Sequence, residues 1–219
     1  MASVSPNPRL DGLLDQLAAD LQPVRPLSDR PVQLALAVLL GCAAATVVAV
    51  LGMRSDVMAG QPDTMFLMRC GMLAVLALAS VGTVLAQARP GVGFNRQGWK
   101  VAAAMAALFP LIGAVQALAN PDHARAMLAM ASGRQCLGYS LGIAALVAVP
   151  IVLHLRRGAP VAPERAGLLV GLSAGSLGAL AYNFHCPFNS MVYIGLWYGA
   201  AITGAAIFGR LVVPRLIRW

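Results

Sequence analysis

The chain has 219 residues, of which 59% are hydrophobic and 11% charged, and its mean hydropathy is +0.74. Soluble domains carry about 25% charged residues, so these values argue against a water-soluble globular domain and for a membrane protein. The net charge of +8 does not point to nucleic acid: no basic run with interleaved aromatics occurs, and most of the excess falls in short connections between apolar stretches.

Residues 1–31 precede the first apolar stretch and are too few to bury a core of their own. Within them Leu10, Leu13, Leu14, Leu17 and Leu21 recur at helical spacing, while Asp11, Asp15 and Asp20 fall on other faces. Pro8 can open such a helix and Pro23 should end it, because Pro23-Val24-Arg25-Pro26-Leu27 cannot be helical throughout. The expected structure is a short amphipathic helix, then a stiff extended linker. An anchor lying on lipid favours Lys and Arg on its polar face, whereas residues 10–22 hold three Asp and no basic residue. Docking on the chain's own bundle is one alternative; a leucine stripe with an acidic back better suits a groove on a basic protein partner.

Six apolar stretches come next, at 32–53, 68–87, 99–119, 135–155, 164–184 and 191–213. Each is long enough to cross a hydrocarbon core that needs about 20 helical residues, and backbone amides in lipid must bond internally, so helices are expected. With the N-terminus in the cytoplasm, twelve basic residues fall on the inner side: Arg9, Arg25, Arg30, Arg89, Arg96, Lys100, Arg156, Arg157, Arg165, Arg210, Arg215 and Arg218. Four fall on the other side, Arg54, Arg69, Arg125 and Arg134. The positive-inside rule therefore predicts an all-α, multi-pass protein of the bacterial inner membrane with six transmembrane helices, N-in and C-in. Residues 1–31 and 214–219 would then be cytoplasmic, and 32–213 the transmembrane domain. The first stretch begins late and runs 22 residues, longer than the roughly 7–15 of a signal-peptide core, so cleavage is not expected.

Small residues recur every fourth position in the last two stretches: Gly167, Gly171 and Gly175, followed by Gly178, and then Gly195, Gly199 and Thr203. That spacing puts them on one face and lets two backbones approach. A tight hairpin of the fifth and sixth helices is expected.

Ionisable groups inside spans mark most membrane enzymes and ion carriers. Here Arg69, Lys100, Arg134, His154, Glu164 and Arg165 all fall near span ends, where long side chains reach the interface. No zinc-protease pattern, glycine-rich phosphate loop or Cys-x-x-Cys pair occurs. An enzyme is not expected. A small transporter or channel would have to build its path from Ser80, Thr83, Gln116, Ser140, Ser173, Ser176 and Asn183; a membrane thiol oxidoreductase would have to use Cys70, Cys136 and Cys186. Cys42 lies mid-span, where a thiol acts as a small hydrophobe. Cys70, Cys136 and Cys186 all map to the outer face, which in a Gram-negative cell is the oxidising periplasm. His185 precedes Cys186 and His123 precedes Cys136, and thiolate with imidazole binds soft metals. Unpaired structural cysteines remain the alternative.

Three local patterns coincide: the leucine segment before Pro23-Val24-Arg25-Pro26-Leu27; Arg134-Gln135-Cys136 with Pro150-Ile151 and Leu155-Arg156-Arg157-Gly158-Ala159-Pro160; and Gly171-Leu172-Ser173-Ala174-Gly175 with Tyr182-Asn183-Phe184-His185-Cys186-Pro187, Leu196-Trp197-Tyr198 and Arg218-Trp219. Over nearly its whole length the chain resembles the negative-regulator-of-sigma-F (NrsF) family, membrane anti-sigma factors for extracytoplasmic-function (ECF) sigma factors. The resemblance implies a six-helix inner-membrane protein that holds a cytoplasmic sigma factor inactive, with residues 1–31 as its binding segment. It also implies that Cys136 and Cys186 sense an oxidant or metal stress outside, by a disulfide or by binding a soft metal ion with His185. Where the family pattern after His-Cys-Pro is acidic, this chain has Phe188-Asn189-Ser190, which leaves a cation fewer hard ligands.

Overall fold

The computed structural model describes residues 27–89, 98–158 and 160–217, together with Gly12, Leu13, Asp15, Gln16 and Ala19. Among the described residues from Asp29 onward there are eight helices: α1 (Arg30–Leu51), α2 (Ser55–Met58), α3 (Thr64–Gln87), α4 (Gly98–Ala119), α5 (Pro121–Ala129), α6 (Ala131–Arg157), α7 (Pro163–Asn183) and α8 (Met191–Ile217). Among the described residues there is no strand. The six long helices are α1, α3, α4, α6, α7 and α8, each long and apolar enough to cross a membrane. They match the six stretches read from the sequence to within four residues at every end.

α7 occupies the centre. Of its apolar stretch 89% is buried, against 11% for α1 at the periphery, yet α7 has the lowest mean hydropathy of the six, 1.2. A helix enclosed by other helices needs small side chains rather than greasy ones, since close backbone approach supplies its packing. α8, α6 and α3 surround it, with α1 and α4 touching it more lightly. A Cβ on Gly171 would lie 2.6 Å from Ala206 Cα and would overlap the Ala205 carbonyl; one on Gly175 would lie 2.9 Å from Ala205 Cβ. Gly167 meets the Gly209 backbone in the same way, and Gly178 meets Ser140 of α6. The tight α7–α8 hairpin is therefore as expected.

Its partner residues are not. Gly195 packs on Gly113 of α4, and Gly199 on Pro110 of α4. The residues of α8 that meet α7 are Ile202, Ala205, Ala206 and Gly209. Residues Ile194–Tyr198 form a π-helical turn, which takes in an extra residue and rotates the remainder of α8 by roughly 100°.

Two of the groups expected near span ends prove to be buried in the protein. Arg69, in the second turn of α3, is 2% exposed, and carbonyls from the α7–α8 connection meet its charge. α3 begins at Thr64 rather than 68, capped by the Asp63 side chain, which accepts from Met65 N at 3.2 Å. His154 is likewise buried, facing Asp29. Four of the hydroxyls that could have lined a polar path, Ser80, Thr83, Ser173 and Ser176, donate to carbonyls one turn back in their own helices.

The α7–α8 seam makes an asymmetric prediction. Gly171→Val should destabilise the bundle by about 3 kcal/mol, the upper range for an overpacked core. Gly204→Ala, where a Cβ meets nothing within 4 Å, should change stability by less than about 1 kcal/mol. Unfolding of the two purified variants in detergent checks the contrast.

Candidate functional site

The connections α1–α3, α4–α6 and α7–α8 gather at one end of the bundle. Gly52, at φ +88°, closes α1 and sends the chain back toward the α7–α8 connection. Arg54 is 5% exposed and enters that connection from below. Its Nε and Nη2 each donate to Asp56 at 2.9 Å, and its Nη1 donates to the Cys186 carbonyl and, at 3.2 Å, to Asn189 Oδ1. Its backbone N–H donates to the Phe184 carbonyl at 3.2 Å, and the guanidinium lies 5.1 Å from the Phe66 ring centre. Arg69 approaches from α3, donating to the Phe188 carbonyl at 2.7 Å and the Cys186 carbonyl at 3.4 Å, with its guanidinium over the Tyr198 ring. Two buried cations thus share one carbonyl oxygen. Such charges are tolerated only when hydrogen bonds replace lost water. The Asn189 amide completes the clamp by donating to Asp63.

Asp56 is the countercharge. The Arg54 fork holds its carboxyl well below the usual carboxylate range, helped by the Asp63 backbone N–H, and Asp56 in turn raises the Arg54 guanidinium.

The two thiols singled out in the sequence lie at this same end, Cys186 within the clamped connection itself. Cys136 opens α6 and is 0% exposed; Cys186 is 1% exposed; both are free. The fold brings them into one electrostatic neighbourhood with Tyr182, Tyr193 and Tyr198. Ser140 Oγ, Tyr193 Oη and Tyr198 Oη are buried beside this pair, with Ser132 also neighbouring Tyr193. Cys70 stands apart from that pair, accepting from Asn183 Nδ2 at 2.9 Å. Cys42 is exposed on the outer surface of α1.

His185 is not turned to the thiols through Nδ1, which meets the Gly52 carbonyl at 2.9 Å; its ring packs edge-on against Tyr182. His123, in α5, contacts Ser190 Oγ at 3.1 Å. Among the described residues no three His, Cys, Asp or Glu side chains converge to hold a metal ion. The donor set His185, Cys136 and Cys186 does not fit a metal as it stands.

Of the N-terminal residues singled out, Leu13 is helical and 55% exposed, and Leu27 packs against the core. Leu10, Leu14, Leu17, Leu21, Pro23, Val24, Arg25 and Pro26 lie outside the described residues. What the sequence reading missed is the pair Arg54 and Arg69. A signal was present: both belong to the four basic residues on the face that the charge rule depletes, and a cation there needs a local reason.

The chain matches the family described as negative regulator of sigma F over residues 17–219. The anti-sigma-F factor NrsF of Caulobacter vibrioides is 31% identical over 216 residues, covering 96% of this chain and all of that protein. The probable anti-sigma-F factor NrsF of Azospira oryzae is 31% identical over 197 residues, covering 84% of this chain and 88% of that one. No solved structure matches.

The clamp should control access to Cys186. Charge-assisted hydrogen bonds contribute roughly 1.5–3 kcal/mol, so Arg54→Gln or Arg69→Gln should speed maleimide labelling of Cys186 about tenfold or more. An unchanged rate would leave the arginines without a gating role. Asp56 has a depressed folded pKa, so its contribution is fully present above the unfolded value of about 3.9 and is lost as pH falls below it. The Tm gap between wild type and Asp56→Asn should therefore be constant from neutral pH to about 5 and close below about 4, which a pH series of thermal melts checks.

Proposed function

The chain belongs to the family of negative regulators of sigma F, and from that premise we propose that it is an inner-membrane anti-sigma factor. It holds an ECF sigma factor inactive on the cytoplasmic side and releases it when Cys136 and Cys186 react on the other side. The observation that carries this reading is the shared, buried position of those two thiols at one end of the bundle, with residues 27–31 entering at the opposite end. The twelve-to-four distribution of basic residues supports the thiol end as periplasmic, with both termini inside.

The leucine stripe supplies the sigma contact, as a helix laid in a groove. The thiols supply the switch. With hydrogen peroxide as oxidant, one thiolate attacks an oxygen, hydroxide leaves and takes up a proton, and a sulfenic acid forms. The second thiol displaces the sulfenic hydroxyl as water, closing a disulfide. Two thiol hydrogens and two electrons reduce one peroxide to two waters. A disulfide constrains a chain by roughly 2–4 kcal/mol, and allosteric coupling needs about 1–3 kcal/mol. If half of that constraint favours one bundle arrangement, sigma affinity changes about tenfold or more. The bridge would tie α6 to the α7–α8 connection, two neighbours of the same central packing.

Each ECF sigma factor of the source genome, coexpressed with the full chain and a promoter reporter, identifies the partner. Leu14→Asp with Leu17→Asp should release that sigma factor while membrane levels stay normal; undiminished repression would move the binding surface to the cytoplasmic loops. A reporter active only in the periplasm should work when inserted within residues 56–62 and fail when fused after Trp219. Thiol trapping on membranes should count four free thiols before peroxide and two after, and Cys136→Ser or Cys186→Ser should abolish both the change and the release of sigma. Release that persists in the double serine variant removes the thiol mechanism. Protection reversed by a chelator replaces the disulfide with metal capture.

A further inference from the structure

At the end of the bundle opposite the thiols, one carboxylate joins three helices. Asp29 is the N-cap residue of α1, yet its side chain caps nothing. N-cap carboxylates normally bond their own helix, a contact whose loss costs about 0.5–2 kcal/mol. Here Oδ2 instead accepts from the Arg89 guanidinium, just past the end of α3, and Oδ1 faces His154 Nε2 at 3.2 Å in the last turn of α6. The His154 contact lies off the hydrogen-bonding direction, and it is an ion pair only when the imidazole is protonated. His154 is 6% exposed and Asp29 21%, whereas Arg89 is 57% exposed, so the carboxylate spans from a buried imidazole to a surface guanidinium. Leu27, two residues upstream, packs against the core beside it. The leucine-striped segment and its proline linker lie N-terminal to this point in the chain.

The same helix that ends at His154 begins with Cys136. α6 is continuous over 27 residues with Pro150 inside it, so the thiol and the imidazole lie about 27 Å apart along one helix whose hydrogen-bond ladder lacks one backbone donor, at Pro150, between them. A shift or rotation of α6 at the thiol end moves His154 with respect to α1.

We propose that Asp29 is the positioning residue that transmits the state of Cys136 and Cys186 to the N-terminal sigma-binding segment, through α6 and His154. This rests on the function proposed above for the thiols and the segment. Asp29 does not touch the sigma factor; it sets where the binding segment leaves the bundle, with Arg89 holding the carboxylate to α3. Cutting the tie leaves the segment able to bind but no longer informed.

The test uses the full chain in nanodiscs and the sigma factor identified by coexpression, with affinity measured by fluorescence anisotropy before and after peroxide. Wild type should change affinity about tenfold or more. In Asp29→Asn the ratio should collapse to about one, with reduced-state affinity within about threefold of wild type and thiol trapping showing that the bridge still forms. Asp29→Glu should restore part of the ratio, and His154→Gln, which keeps a polar side chain, should lower it independently if Asp29→Asn fails to fold. A wild-type ratio in Asp29→Asn, or in His154→Gln where that variant stands in, overturns the proposal. Loss of sigma binding by Asp29→Asn in both thiol states also overturns it, by making Asp29 part of the binding surface. A ratio of one in wild type sinks the thiol switch itself, and the coupling with it, which separates that failure from the others.

Discussion

Backbone-to-backbone contact between α7 and α8 sets the geometry on which every other element depends. In lipid, helices gain little from hiding apolar surface, so association rests on close packing. α7 meets that condition at its glycines, while Leu169, Val170, Leu172 and Leu177 fill the spaces between. Gly167 and Gly171 lie against the backbone of Gly209 and Ala205, and Gly178 against that of Ser140. Three helices can then approach one axis at once. Larger residues along α7 would push α8 and α6 outward and move apart the ends that carry Cys186 and Cys136.

Charge placement depends on that packing. The short connection His185–Ser190 must turn from α7 to α8 within a few residues, which leaves its carbonyls without helical partners. Arg54 and Arg69 satisfy them from two other parts of the chain. Burying two guanidiniums has a large desolvation cost, offset here by Asp56, by the Phe66 and Tyr198 rings and by three carbonyl contacts. The two thiols are buried at the same end, with Tyr182, Tyr193 and Tyr198 around them, and a buried thiol is slow to react.

The bundle has two chemically distinct ends. One holds thiols, arginines and aromatic rings; the other holds the ion pairs Asp29–Arg89 and Arg210–Glu164 with Arg165 over Trp99. α6 runs between them without a break, carrying Cys136 at its first turns and His154 at its last.

Composition, periodicity and loop charge are local properties, so the sequence alone determined the number of long helices, their extents to within a few residues, and the expected direction of each. Spacing also marked the glycines of α7 as packing residues, whereas the pair Cys136 and Cys186 was singled out by the family resemblance. The sequence did not disclose that Gly195 and Gly199 meet α4 while Ile202, Ala205, Ala206 and Gly209 meet α7, because spacing along one helix does not say which neighbour each face will meet. Nor did it disclose the Arg54 and Arg69 clamp or the Asp29–His154 tie, whose partners are more than a hundred residues apart in the chain. Tertiary structure alone decided those contacts: a buried charge takes its partner from whichever backbone the packing brings near, and sequence distance carries no record of that proximity.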